Sequence, residues 1–440
     1  MNNYFKNQFL YYFLFLTPLL FILGIAVVEL STLFLTLFFL YKNKNFNYYK
    51  DKKFLFLLFF AAYIAINAFF QIHDNLKISS FFFFRFAILS LSIFFILDFL
   101  TKNLKANKNK ILFIFGFVFL FIFFDSGLQF FSGKNLFGFE ILNQRISSVF
   151  GSELILGVFL LKLLPLFLYL FFYSNTEIEK NSYVLIFFFS LYFITIYIAG
   201  GRTAFFLMLM FIILIIFFIK NLRKIFSISI LFLSIFIIFT FIFDLGKSNP
   251  SNRMFIKTFN QITNNIFDQI TNIIFIGGKD ISLKEVNKIE KDKIIKNVKI
   301  FSTDHEGHYT LAYDLFKNNP IFGVGPKGFR YFCRSVEYDP PKGICSTHPH
   351  NFLIQILSET GLTGLFFYFY GLFFVIYKLF KVNLKNTPIN EKNCFLVISI
   401  TLIINFFPFV PNGNFFNNWI SITSFYYIGI YLYSYKRIFS

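Results

Sequence analysis

The sequence contains few charged residues, and fewer acidic than basic ones. Only 14% of the 440 residues are charged, and 22 acidic residues stand against 41 basic ones, which gives a formal net charge of +19. A soluble domain of this length keeps about 25% of its residues charged. The shortage of charge therefore excludes a soluble protein.

Motifs of several common enzyme classes are also missing. The three cysteines and five histidines form no pattern with zinc spacing, and the chain has no Gly-x-Ser-x-Gly elbow and no paired carboxylate motif. Gly323 and Gly325 lack the flanking strand and helix of a dinucleotide fingerprint, and no phosphate-binding loop follows them. We therefore expect no metal, no cofactor and no nucleotide.

Long apolar runs, in contrast, occur along most of the chain. Hydrophobic residues make up 57% of it, and 78 residues are phenylalanine. Each run is about long enough to cross a hydrocarbon core of roughly 30 Å. The predicted spans lie near residues 9–24, 25–41, 54–70, 80–100, 111–125, 151–173, 183–200, 202–219, 226–243, 350–377, 393–410 and 416–435.

These runs predict an all-α integral membrane protein with about twelve transmembrane helices. Residues 1–243 would hold the first nine helices and residues 350–440 the last three. The segment 244–349 is the only long polar stretch, and we expect it to form a large loop of short helices.

Clusters of basic residues predict how the chain is oriented. They occupy alternate short loops, and short loops on the cytoplasmic side of a membrane are enriched in lysine and arginine. The large loop 244–349 then lies on the opposite, periplasmic side. The positive charge is thus explained by membrane lipids, and no nucleic-acid partner is expected.

The segment just before the tenth predicted helix carries the strongest chemical signal. His348 and His350 flank Pro349, and Asn351 follows where it can cap the helix. A histidine at a membrane boundary can act as a general base near neutral pH. We predict His350 as the catalytic residue, with His348 and Asn351 binding substrate.

Two arginines are expected to bind an anion at the same face of the membrane. Arg202 follows two glycines between two apolar spans, and Arg145 immediately precedes the sixth span. An arginine at a membrane edge is costly unless it is paired, and its planar fork suits phosphate. Arg85 and Lys162 lie deeper within predicted helices, and we expect mainly structural roles for them.

Cys333 and Cys345 lie twelve residues apart in the predicted periplasmic loop. Disulfides form on the oxidising side of a membrane. We predict a bond between them that holds the histidine segment against the rest of the loop.

Several of these motifs together resemble the bacterial O-antigen ligase and O-antigen polymerase superfamily. They comprise Asn319-Pro-Ile-Phe-Gly-Val-Gly325, His350-Asn351 leading into Leu357-Ser-Glu-Thr-Gly-Leu-Thr-Gly364, Gly201-Arg-Thr203, Arg145, and Pro411-Asn-Gly-Asn-Phe-Phe-Asn-Asn-Trp419. The resemblance implies an inverting, metal-independent glycosyltransferase. It would move a glycan from an undecaprenyl-pyrophosphate carrier to a sugar hydroxyl at the periplasmic face of the bacterial inner membrane.

By matching position, His350 is the implied base and Arg202 the implied ligand of the carrier pyrophosphate. The family often has an arginine four residues before an aromatic in the helix ahead of Asn319-Pro320, whereas here His305 precedes Tyr309. We expect the missing phosphate contact from His305, Arg330 or Arg253, in that order.

The acceptor and the reaction class stay open at this point. A ligase would transfer to lipid A core, a repeat-unit polymerase to a growing carrier-linked glycan, and a third possibility is a transferase acting on protein. A transporter of lipid-linked sugars would also use many helices and buried cations. The single large loop ending in two histidines favours an enzyme, and transporters more often show internal repeats.

Overall fold

The computed structural model describes residues 2–42, 52–70, 74–103, 109–174, 182–256, 259, 263, 303–334, 345–382 and 386–439. Its α-helices are α1 Asn2–Leu16, α2 Ile25–Lys42, α3 Lys52–Phe69, α4 Asp74–Phe81, α5 Phe84–Asn103, α6 Asn109–Ser132, α7 Leu156–Tyr173, α8 Ser182–Ile198, α9 Arg202–Phe218, α10 Arg223–Ile242, α11 Thr303–Asn318, α12 Phe329–Phe332, α13 Phe352–Lys381, α14 Ile389–Asn405 and α15 Asn418–Phe439. A π-helical turn spans Asn252–Ile256. Every named element in these residues is helical, which confirms the all-α fold class.

Seven helical stretches in the described part of the chain are long and apolar enough to cross a membrane. They are Phe5–Leu23, Ile25–Lys42, Phe84–Asn103, Lys110–Ser132, Leu156–Tyr173, Lys220–Ile242 and Phe352–Lys381, and three shorter helices are also apolar. Each of the twelve predicted spans overlaps a helix, but the count of twelve crossings stays a prediction, as do the domain limits at 243 and 349. About half of the predicted loop, chiefly 264–302 and 335–344, lies outside the described residues.

The outer surface of the bundle is itself apolar. Along α6, Phe113, Phe117, Phe121 and Phe124 recur at spacings of three or four residues and lie between 40% and 76% exposed. Residues at this spacing share one face of a helix. Since such a face is unfavourable in water, it is explained by contact with lipid chains.

A kink in α13 holds the loop that follows α11. Gly361 has φ 62°, and a Cβ at this position would lie 2.4 Å from the Ile321 carbonyl. Val324 N donates to Ser358 O at 3.0 Å and Gly325 N to Glu359 O at 2.9 Å. The two motifs 319–325 and 357–364 therefore bind each other, and glycine is needed because the two backbones touch.

The same contact fixes α11 and α12 above the start of α13. The buried Glu359 carboxylate accepts the backbone N–H of Phe329 at 3.1 Å. Leu311, Ala312 and Leu315 of α11 pack with Phe329 and Cys333 in a small apolar cluster. The helix expected ahead of Asn319-Pro320 is present, and it ends at Asn318. Its residues His305 and His308 are thereby brought to His350.

Candidate functional site

A cavity of about 510 Å³ opens where α7, α9, α13, α14 and α15 meet. Its polar and charged lining comes from at least five separate parts of the chain. These residues are Arg145, Lys162, Arg202, Thr203, Arg253, His348, His350, Asn405, Asn412 and Trp419. No carboxylate belongs to the described lining, so the cavity collects positive charge without a counter-charge.

The Gly200–Gly201 turn, between α8 and α9, places the first two arginines. Gly200 has φ 73°, and a Cβ there would lie 2.9 Å from the backbone oxygen of Gln144. The turn therefore needs glycine so that the loop carrying Arg145 can approach it. Arg202 is the first residue of α9, and Gly201 occupies the N-cap position.

Arg253 ties these two segments together. Its Nε donates to Gly200 O at 2.9 Å and its Nη1 to Asn143 O at 2.8 Å. The Arg202 Nε in turn donates to Arg253 O at 3.2 Å. Three cations that are far apart in the sequence are thus fixed around one opening, largely by bonds to backbone carbonyls.

The electrostatics of the three arginines favour an anionic ligand. Burial lowers the pKa of Arg145, and the nearby Arg253 lowers it further. Burial and then Arg202 lower the pKa of Arg253 in the same way. Guanidinium groups keep their charge in proteins even so, and the repulsion among them is relieved when phosphate oxygens bind between them.

His348 is fixed by the fold through both ring nitrogens. Its Nε2 lies 3.2 Å from the backbone oxygen of Asn412, which can only accept, so Nε2 carries the proton. Its Nδ1 then accepts from the hydroxyl of Thr347 at 3.1 Å. With both nitrogens occupied, His348 is suited to positioning its neighbours and less suited to taking a proton.

His350 differs in backbone and in hydrogen bonding. Its φ is 58°, in the left-handed region that few residues other than glycine adopt. Its Nε2 lies 3.0 Å from the hydroxyl of Ser346, and its backbone oxygen accepts from Asn412 N at 2.8 Å. Strain of this kind concentrates at functional sites. With this backbone conformation, the half-buried ring of His350 lines the cavity.

Three further histidines surround His350. The ring centroids of His348, His308 and His305 lie 4.2, 5.3 and 5.5 Å from its own. Burial, then His308 and His305, lower the pKa of His350 to about 4. Burial and then His350 lower that of His348 to about 4 as well. Both are therefore neutral at pH 7, which is the state a general base requires.

The remaining predicted site residues take different places. Asn351 caps α13: its Oδ1 accepts from Ile354 N at 3.1 Å, and its Nδ2 donates to Pro408 O at 2.9 Å. The fold thus uses its amide, and a substrate contact stays a prediction. His305 and Arg330 do not line the cavity, whereas Arg253, third in the expected order, does.

The cysteine pair lies beside this site. Cys333 and Cys345 are within bonding distance, with their Cα atoms 5.5 Å apart, a normal separation for a disulfide. Cys345 begins the segment that carries both site histidines. The bond stays a prediction for the protein in its membrane, and the geometry is compatible with it.

The sequence analysis assigns no site role to Lys162 and Asn405, two polar residues of the cavity lining. Lys162 was expected to be structural, yet its amine faces the cavity and donates to Asn405 Oδ1 at 3.1 Å. The amine also lies 5.7 Å from the centre of the Trp419 ring. A charged residue inside an apolar span was the available signal. His308 was missed as well, although it lies three residues after His305 on one helix.

Comparison with known proteins adds one match. Residues 186–369, less than half of the chain, match the family model described as O-antigen ligase. The matched segment contains Arg202, Arg253, His348 and His350, and ends just after the α13 kink. Arg145, Lys162, Asn405 and Trp419 lie outside it. No curated protein matches the chain.

Proposed function

We propose that this chain, which matches the O-antigen ligase family over residues 186–369, is a glycosyltransferase-type enzyme of the membrane. It would transfer a glycan from an undecaprenyl-pyrophosphate carrier to lipid A core. The observation that carries the proposal is the arrangement of three arginines and a neutral histidine around one cavity without a carboxylate. The cations suit the diphosphate of the donor, and His350 suits the hydroxyl of the acceptor.

The reaction is a single displacement. His350 takes the proton of the acceptor hydroxyl while that oxygen attacks the anomeric carbon from the face opposite the diphosphate. The bond between the anomeric carbon and the diphosphate oxygen breaks, and the diphosphate leaves with the electron pair. Arg202, Arg145 and Arg253 stabilise the charge that develops on it. Opposite-face attack inverts the configuration at the sugar.

The charge states of the site fit this sequence of events. Before the donor binds, His350 is neutral because of burial and its histidine neighbours. A bound diphosphate adds negative charge near the ring and raises its pKa, which makes it a stronger base at the moment when a proton is to be taken. The histidine does not need to lose a proton first.

We further propose that the site faces the periplasm of the inner membrane, where lipid-linked glycans and the core are available. The acceptor distinguishes the ligase from the polymerase, since the polymerase would transfer to a second carrier-linked glycan.

The test uses purified protein in detergent with a carrier-linked glycan. One sample receives lipid A core and a second receives only more carrier-linked glycan. Glycosylated core in the first sample supports the ligase, and longer carrier-linked chains in the second support the polymerase. No product in either, together with movement of the donor across proteoliposomes, would show a transporter instead.

A further inference from the structure

The cavity contains a second group of donors, separate from the arginines. It consists of Lys162, Asn405 and Trp419, which all line the cavity. Asn405 Nδ2 and Trp419 Nε1 are buried and have no hydrogen-bond partner among the described residues. Buried polar groups are normally paired, so unpaired donors in a cavity indicate a ligand that accepts hydrogen bonds.

Lys162 strengthens this indication. It is the only charged residue of α7, and its amine contacts a neutral amide and the face of an indole ring. The described residues place no carboxylate beside it. A cation in an apolar helix is expensive without a counter-charge. Since the protein supplies none, the counter-charge is expected to come with the ligand.

The position of Lys162 along α7 indicates which part of the ligand this residue would contact. It lies six residues beyond Leu156, or about 9 Å along α7 from the start of the helix. Arg145 lies in a loop, Arg202 is the first residue of α9 and Arg253 lies in the π-helical turn, whereas α7 beyond Lys162 consists of apolar residues and two tyrosines. The arginine side of the cavity is thus its polar end, and the Lys162 side leads into the apolar bundle.

We propose that Lys162, Asn405 and Trp419 bind the phosphate that is attached directly to the polyprenyl chain of the donor, while the arginines bind the phosphate attached to the glycan. The inference rests on the proposed function, which it deepens by dividing the diphosphate between two subsites. Lys162 supplies the charge, and the Asn405 and Trp419 N–H groups supply two hydrogen bonds to phosphate oxygens.

A polyprenyl monophosphate is the informative probe, because its one phosphate is the chain-linked one. Trp419 is the only tryptophan of the protein, so its fluorescence reports on this subsite directly. Binding of polyprenyl monophosphate and diphosphate is titrated in phosphatidylcholine nanodiscs for the wild type and for variants. Lys162→Met should weaken binding of both probes by about 10- to 100-fold, since a charge-assisted hydrogen bond is lost.

Arg202→Ala separates the inference from the proposed function. It should weaken the diphosphate probe and leave the monophosphate probe within about threefold of the wild type, because the phosphate it would bind is absent from the latter. If Arg202→Ala leaves diphosphate binding unchanged, the proposed arginine role fails and the Lys162 subsite stands. Unchanged monophosphate binding in Lys162→Met overturns the subsite alone.

Three further measurements complete the design. Asn405→Ala removes one donor and keeps Lys162, so it should weaken monophosphate binding by several-fold. This variant replaces Lys162→Met as the test if Lys162→Met does not insert into the membrane. Unchanged monophosphate binding in Asn405→Ala would count against the subsite. Lys224→Met, at an exposed lysine of α10, should change nothing. If phosphatidylglycerol displaces the monophosphate probe at equal mole fraction, the group binds lipid headgroups in general and the proposal is wrong.

Discussion

Replacing His350 by asparagine should abolish most of the transfer while leaving the fold intact. The residue has φ 58°, and asparagine tolerates the left-handed region better than other residues apart from glycine. His350→Asn therefore preserves the backbone that presents the side chain, and its melting temperature should equal or exceed that of the wild type. An amide cannot accept the proton, however, so the chemistry alone is removed.

The magnitude follows from the role of a general base. Such a group contributes about 10² to 10⁴ in rate, and kcat should fall by that factor in His350→Asn. Ser346→Ala, which removes the hydroxyl 3.0 Å from His350 Nε2, should cost less because the base stays and only its orientation loosens. The assay is transfer from carrier-linked glycan to acceptor, measured with saturating and with limiting donor.

The pH dependence gives an independent readout. The pKa of His350 is lowered to about 4 in the free protein, so kcat/KM should fall only as the pH drops through that region, where the protonated ring can no longer accept a proton. The limb in kcat should lie at higher pH, since the bound diphosphate raises the pKa. In His350→Asn both limbs should disappear. A variant with the wild-type rate and the wild-type pH profile would refute the assignment.

Three further outcomes are expected. Arg202→Lys keeps the charge but loses the planar fork, so kcat/KM should fall about 10- to 100-fold. Arg223→Lys, at the start of α10, should stay within a factor of two. An equal response of both would make Arg202 a lipid anchor. A non-reduced digest should contain a peptide in which Cys333 and Cys345 are linked, and two freely alkylated thiols would remove that bond. His305→Phe keeps a ring that can stack on Tyr309 but removes a group that lowers the pKa of His350. The acidic limb of the kcat/KM profile should therefore move towards higher pH. A rise in the KM for the donor, with the acidic limb unmoved, would make His305 a phosphate ligand instead.

The helices of this protein are largely predictable from its sequence because membrane helices have a local signature. A run of about twenty apolar residues satisfies its backbone hydrogen bonds within its own helix, whichever helices pack against it. Each predicted span accordingly overlaps a helix. The α13 kink is different, since Gly361 is non-helical at the point where the backbone of Ile321 and Gly323 lies against it. That contact is non-local, and apolar periodicity carries no trace of it.

The candidate site divides in the same way. The place of His350 just before a helix start was predictable because its sequence neighbours, Pro349 and Asn351, already indicate a rigid approach to that helix. The contribution of Arg253 was not, since its bonds to Gly200 and Asn143 join segments 53 and 110 residues apart in the chain. An arginine in a long polar loop has no distinctive pattern.

Lys162 shows where the physical argument adds most. The sequence reveals a costly charge in an apolar helix but not what offsets the cost, because Asn405 lies 243 residues further on. In the structure the Lys162 amine contacts a neutral amide and an indole ring in place of an acidic partner. A ligand is therefore expected to neutralise the positive charge of Lys162. The described lining of the cavity also contains no carboxylate beside the three arginines. A diphosphate carries negative charge on both of its phosphates, so a ligand of this kind offsets the positive charge at both ends of the cavity at once, whereas a single phosphate would leave one end of the cavity uncompensated.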